Sequence, residues 1–293
     1  MTVAPALTTM LFVPGTAEDK FAKIPELNSR AFILDLEDAV PEGEKAASRS
    51  RVARLLSDMG GRLRLDVRVN PVDSDHFFDD IEKVVVPGLG GIDLPKATTS
   101  ADIVLADRLI THYESRAGLP VGSIELMATI ETVAGLGNVF EIAAAAGRLR
   151  RLCFGAGDFT LDVGIDWPSS DGASSATLLF AKAQLVLASR AAGIEAPHDS
   201  AFPRYSDLEA LRREARESRA LGFVGKHAIH PSQLSTIEEV YRPTEREVDR
   251  ATRMVAAFAE AEARGEGAIG VDGELVDYPI LYRAQQILAE AKS

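Results

Sequence analysis

Between Thr9 and Pro231 the sequence repeats one unit, a short apolar run followed by a helical pattern. The runs are Thr9–Pro14, Ala31–Leu36, Leu63–Asn70, Gly91–Lys96, Ser123–Thr132, Arg150–Phe159, Gly193–Ser200 and Phe223–Pro231. Helical spacing occupies Ala17–Leu27, Gly43–Met59, Phe77–Val84, Ser100–Ser115, Asn138–Arg151, Ala173–Ala192 and Asp207–Leu221. Strand–helix–strand units build parallel sheets, because parallel neighbours need a long crossover. Eight strand-like runs alternating with helices without a long interruption predict a (β/α)8 TIM barrel, whose usual size is about 250 residues. A doubly wound open sheet is the alternative. No G-x-G-x-x-G follows the first strand and no Walker-type phosphate loop is present, which argues against that alternative.

The repeat ends before the chain does. Residues 1–232 are read as the barrel and residues 233–293 as a C-terminal helical extension, a lid-like tail of the same domain. The extension opens with a helix over Pro231–Val240. A second helix, Thr244–Arg264, starts at a capping box of Thr244 with Glu247. Gly265–Gly273 reads as a flexible glycine-rich stretch, and Ile280–Lys292 as a final helix. A tail of this size must pack somewhere, and covering an active site, its own or a neighbour's, is one option.

Composition narrows the function classes. A net charge of −12 argues against a nucleic-acid or anionic-membrane partner, while leaving room for a local basic pocket. The lone cysteine, Cys153, rules out an internal disulfide framework and sits in an apolar run as a core residue would. The segment MTVAPALTTMLFVPG lacks the basic and long apolar regions of a signal peptide. No apolar run approaches the roughly 18–20 residues of a membrane span. A cytoplasmic enzyme is the expectation.

The strand ends carry the chemistry. In a barrel the C-terminal strand edge holds the active site. Here that edge is expected to collect Glu37, Asp38, Arg68, Lys96, Glu131, Asp158, Asp199 and His230. Glu131 and Asp158 each close an apolar run, on neighbouring strands. Two hard oxygen ligands with no cysteine or histidine beside them suit Mg²⁺; helix capping is the competing explanation for each. Arg68 can hold a carboxylate bidentately or form a salt bridge with Glu37 or Asp38. Lys96 could form a Schiff base or anchor a phosphate or carboxylate. His230, before Pro231, reads as a hydrogen-bonded structural histidine.

Several stretches together carry a family resemblance: LFVPG (Leu11–Gly15), ILDLEDAV (Ile33–Val40) with Lys45 and Arg49, RVN (Arg68–Asn70), LPK (Leu94–Lys96), IET (Ile130–Thr132), GAGDF (Gly155–Phe159), GKHAIHPSQ (Gly225–Gln233) and GELVDYPILYRAQQIL (Gly273–Leu288). In this collinear order the chain resembles the HpcH/HpaI aldolase–citrate lyase superfamily, in the branch of citrate lyase beta-subunit-like proteins and malyl-CoA and citramalyl-CoA lyases. The resemblance implies a barrel in a trimer or hexamer, with Mg²⁺ on Glu131 and Asp158. It implies that Arg68 holds the carboxylate of a 2-oxo or 2-hydroxy acid. Lys20, Lys23 and Lys96 would then be candidates for CoA phosphates, and Asp277 would reach a neighbouring subunit's site as acid/base.

Two departures stand out. Family members usually carry an arginine about three residues before the Leu of LFVPG, where this chain has Leu7 and Thr8. That is expected to remove a cation from the substrate mouth. Many also have a glutamate before the metal aspartate, where this chain has Gly157. The activity so implied is Mg-dependent, reversible C–C cleavage of a β-hydroxyacyl-CoA into an acyl-CoA and a 2-oxo acid. The rivals are a CoA-independent metal aldolase, a malyl-CoA thioesterase and a carrier-dependent citrate lyase-like subunit.

Overall fold

The computed structural model describes residues 7–27, 29–59, 61–168 and 175–292. They fall into two compact units, residues 7–238 and residues 239–292.

The first unit is a closed barrel of eight parallel strands in sequence order. They are β1 (Thr9–Pro14), β2 (Ala31–Asp35), β3 (Arg64–Arg68), β4 (Gly91–Leu94), β5 (Glu125–Ile130), β6 (Leu149–Phe154), β7 (His198–Asp199) and β8 (Gly225–Ala228). β8 returns to pair with β1, Thr9 opposite Lys226, so no edge is left and the open-sheet alternative falls. Most strand residues are buried, because helices cover the outside while side chains fill the lumen. The lower lumen is plugged by Met10, Ala31, Ile33, Met127 and Cys153, with Leu7 packed against them.

Local chemistry moved several expected boundaries. The helix expected over Ala17–Leu27 is one turn, Glu18–Phe21, then a 3-10 turn, Ile24–Glu26. Pro25 has no N–H to give and disfavours helical geometry in the residue before it. The helix expected over Asn138–Arg151 is two short ones, Val133–Gly137 and Val139–Ala143, and Leu149–Arg151 already belong to β6. β6 ends at Phe154, so Asp158 lies in the first turn of a helix, Ala156–Val163, and not at a strand end. The helix read from Ala173 runs over Ala176–Ala192 and is capped by Ser175; residues 173 and 174 lie outside the described residues.

The second unit has its own small core of Met254, Phe258, Val276, Leu281 and Ala284. Thr244 and Glu247 form the expected capping box on the helix Glu245–Glu262. The stretch expected to be flexible instead enters a hairpin, in which β9 (Ile269–Val271) pairs with β10 (Glu274–Val276). Asp272 and Gly273 both take positive φ, 52° and 82°, at the two-residue turn that joins them. Asp-Gly is the pair that such a turn favours. The last helix, Tyr278–Glu290, starts earlier than expected and is capped by Asp277, whose Oδ1 accepts the Ile280 N–H at 3.3 Å.

Candidate active site

The C-terminal ends of the strands surround a cavity of about 800 Å³. Asp35, Arg68, Asp93, Thr129, Glu131 and Asp158 line it, together with Lys20 and Lys23. All of them belong to the barrel unit. The two lysines are exposed, on the segment that follows β1.

Glu131 follows the last residue of β5. It does not cap the next helix; Thr132 does, accepting the Gly135 N–H at 2.9 Å. The Glu131 carboxylate instead accepts the backbone N–H of Lys96 at 2.8 Å. Lys96 presents that N–H from a positive φ of 51°, a conformation costly for a residue with a Cβ. Gly155 completes the seat: a Cβ there would stand 2.3 Å from Glu131 Oε2 and 2.5 Å from its Cβ. Only glycine lets the side chain lie across the end of β6.

Asp158 reaches the same cavity from the first helical turn, where the helix dipole favours a negative charge. The Lys96 ammonium lies 3.5 Å from Asp158, forms a short ion pair with Glu37 and is 3.5 Å from Asp38. It therefore sits among carboxylates, whereas Lys20 and Lys23 line the open cavity. Burial lowers its affinity for a proton, yet the hydrogen bond and charge of Glu37 hold the ammonium above its ordinary range.

At Glu131 the pull of Arg68 and of the Lys96 N–H is outweighed. Burial pushes its carboxyl well above the ordinary value, and Glu37 and Asp158 push further. No group of three or more His, Cys, Asp or Glu among the described residues is arranged as a metal cage. Two carboxylates facing one cavity are nevertheless what Mg²⁺ needs when waters and substrate supply the other oxygens. The donor set and the glycine seat fit that ion.

Arg68 ends β3 between Asp35 and Glu37. Its Nε and Nη2 donate to Asp35 at 2.8 and 2.7 Å, and its Nη1 lies 3.0 Å from Glu37. A guanidinium has five N–H groups, so two remain for a ligand. The salt bridge with Glu37 therefore exists, but the main partner is Asp35, which the sequence reading passed over. Lys45 and Asn70 hold this corner: Lys45 Nζ donates to the Leu36 and Glu37 carbonyls and to Asn70 Oδ1. Arg49 and Asn70 both bind Asp80.

Beneath these groups lies a polar floor. Asp93 Oδ1 accepts the Thr129 hydroxyl at 2.8 Å, and its Oδ2, although buried, has no partner. Burial pushes this carboxyl up to about 7, against the pull of Arg68 and Thr129 and with the push of Glu37 and Asp35. Cys153 Sγ lies 3.4 Å from His227 Nδ1. Burial drives the thiol well up and the imidazole down to about 3, so this pair stays neutral and is no nucleophile–base couple. Asp93, Thr129 and His227 were not expected in the site.

Of the other expected edge residues, Asp199 lies outside the cavity and His230 at its wall. Asp199 is fully buried, and its Oδ2 accepts Lys226 at 2.6 Å, Ser218 at 2.7 Å and Lys182 at 3.1 Å. Burial alone would raise its carboxyl, but the two lysines hold it well below the ordinary range. Lys226 also binds Glu214, which accepts the indole N–H of the cavity-lining Trp167. His230 caps the turn after β8 and stacks on Tyr205 at 4.8 Å, and it also lines the cavity. The departure at Leu7 and Thr8 is also displaced. Both precede β1, whose last residue, Pro14, marks the cavity end of the strand, so they stand at the opposite rim. Six strand residues separate them from the mouth, a span of about 20 Å at roughly 3.3 Å per residue. The missing arginine removes no cation from the cavity.

A family model described as HpcH/HpaI aldolase/citrate lyase matches residues 8–231. The chain belongs to this family. A second model, a C-C bond lyase of the TIM-barrel fold, matches residues 178–290. Proteins similar to this chain include citrate lyase subunit beta of Leuconostoc mesenteroides subsp. cremoris. The two are 37% identical, over 97% of this chain and 93% of that one. L-malyl-CoA/beta-methylmalyl-CoA lyase of Cereibacter sphaeroides is 33% identical, over 96% and 93%. Among solved structures, the CitE protein of Mycobacterium tuberculosis in complex with magnesium, acetoacetate and coenzyme A superimposes over the whole of both chains. Its TM-score is 0.81, at 27% identity. The chain is thus a carbon–carbon lyase of the citrate lyase beta-subunit type.

Proposed function

We propose that this lyase cleaves, reversibly, the C–C bond of a β-hydroxyacyl-CoA such as malyl-, citramalyl- or citryl-CoA, giving an acyl-CoA and a 2-oxo acid. The observation that carries the reading is the placement of Glu131 and Asp158 on one cavity with Arg68. Magnesium is the cofactor, as in the relatives solved with it. Bound by Glu131 and Asp158, it would supply Lewis-acid polarisation of the substrate's hydroxyl and nascent carbonyl oxygen.

The chain's own groups do the rest. Arg68, pre-oriented by Asp35, offers its two remaining N–H groups to the carboxylate of the acid portion. Lys20 and Lys23, exposed at the mouth, suit the phosphates of CoA. Lys96 balances the carboxylates, holding Glu131 through its N–H and Asp158 through its ammonium. Asp277 is the proposed acid/base, acting in the site of a neighbouring subunit of a trimer or hexamer. It exchanges a proton with the carbon of the thioester enolate.

Glu131→Ala, assayed at saturating magnesium on a folded chain, is expected to abolish turnover. Intact turnover would show that the mechanism is wrong.

A further inference from the structure

The cavity continues below the metal carboxylates to the floor made by Asp93, Thr129, Cys153 and His227. Thr129, on β5, precedes Glu131 by two residues, so the floor lies one lumen layer beneath, about 6–7 Å. That is within reach of a one- or two-atom substituent on the carbon whose hydroxyl and carboxylate are held above. Asp93 is 1% exposed and lines the cavity, and its Oδ2 meets no donor. A buried oxygen left in this state favours any ligand that pairs with it.

We propose that this floor is a specificity subsite for an uncharged hydrogen-bonding substituent on the 2-oxo acid. The inference rests on the reading that the cavity takes a 2-oxo acid. A hydroxymethyl group pairs with Asp93 Oδ2 directly. A methyl group leaves that oxygen dry and unpaired. A carboxymethyl group brings a second anion and needs a second cation. The Lys and Arg residues lining the cavity are Lys20, Lys23 and Arg68. The first two are exposed at the mouth, and Arg68 divides its fork between Asp35, Glu37 and the first carboxylate. Around Asp93 stand Asp35, Glu37, Arg68, Thr129, Cys153 and His227, and the acidic members outnumber the one cation. Acids whose substituent is uncharged and hydrogen-bonds are therefore selected and dicarboxylic ones rejected. A site built to pair a hydroxyl rejects the analogue without it, because its own polar group is stranded.

The test is equilibrium binding of hydroxypyruvate, pyruvate and oxaloacetate to the full chain with Mg²⁺ at pH 8. Binding is read from the fluorescence of Trp167, the one tryptophan, which lines the cavity. Hydroxypyruvate is expected to bind about tenfold more tightly than pyruvate, and oxaloacetate most weakly. Asp93→Val is expected to reverse the first preference. Asp93→Asn, near-isosteric and still able to hydrogen-bond, keeps it and strengthens oxaloacetate binding. Equal binding of hydroxypyruvate and pyruvate, or an Asp93→Val protein with an unchanged ratio, overturns the subsite while leaving the lyase reading intact. Binding of none of the three acids, nor of glyoxylate, by the wild-type chain overturns the proposed acyl-CoA lyase reading and the subsite together.

Discussion

Replacing Asp93 by asparagine should make the barrel more stable at pH 8 relative to pH 5. In the folded chain burial raises this carboxyl from 3.8 to about 7, so the folded state holds the proton more tightly than the unfolded state. Below the unfolded value the group costs nothing. As pH rises toward the folded value the unfolded chain ionises first, and stability falls. At about 1.4 kcal/mol per unit, the penalty is about 2 kcal/mol at pH 5 and about 4 kcal/mol at pH 8. Asparagine does not titrate, but its unpaired NH₂ costs about 1–3 kcal/mol at either pH. The stability difference, variant minus wild type, should therefore rise by roughly 2–3 kcal/mol between pH 5 and pH 8. Urea unfolding of both proteins, followed by Trp167 fluorescence at the two pH values, measures it. Other titrations shared by the two proteins largely cancel in the difference. A difference that is constant with pH, or that falls, would refute the placement of Asp93 as a buried carboxyl with one oxygen unpaired.

Three other outcomes are expected. Gly155→Ala forces a methyl against Glu131 and should weaken Mn²⁺ binding by at least about tenfold, seen by calorimetry, with overpacking costing about 1–3 kcal/mol in urea unfolding. Lys226→Met strips Asp199 and Glu214 of their shared cation; about 3–5 kcal/mol of stability should be lost, while metal affinity stays as it was. Mixing Asp277→Asn chains with Glu131→Gln chains, each inactive alone, should restore part of the activity if the tail serves a neighbouring subunit, and a mixture as dead as its components would count against that arrangement.

The barrel was legible because its signal is repetitive. Eight apolar runs in alternation with helical spacing admit few other topologies, and small boundary errors do not change the count. Asp158 was misplaced for a reason visible in the residues. The apolar run Leu152–Phe154 passes through Gly155, Ala156 and Gly157 to Asp158 without a polar break, which hides the start of a helix. Asp35 and Asp93 were missed because each lies within a largely apolar run, Asp35 closing AFILD before Leu36 and Asp93 inside GIDL. Strands of a parallel barrel are buried on both sides and read as continuous apolar runs. A carboxylate within such a run is costly unless the site uses it, and that cost is the signal that would have found both. Trp167 and His227 carried no such mark. They face the cavity because of strand register and tertiary packing, which spacing along one chain does not reveal. The Asp-Gly turn of the hairpin was readable from its two residues but was masked by the surrounding glycines.

The most direct measurement is a coupled assay of the purified chain with Mg²⁺ on malyl-CoA, β-methylmalyl-CoA, citramalyl-CoA and citryl-CoA. Release of 2-oxo acid and of free thiol would be followed in parallel, with a chelator control. The predicted result is oxo acid released from at least one thioester, without thiol, and lost on chelation. Thiol released in step with oxo acid would make the protein a thioesterase, and no oxo acid from any of the four would contradict the acyl-CoA lyase assignment.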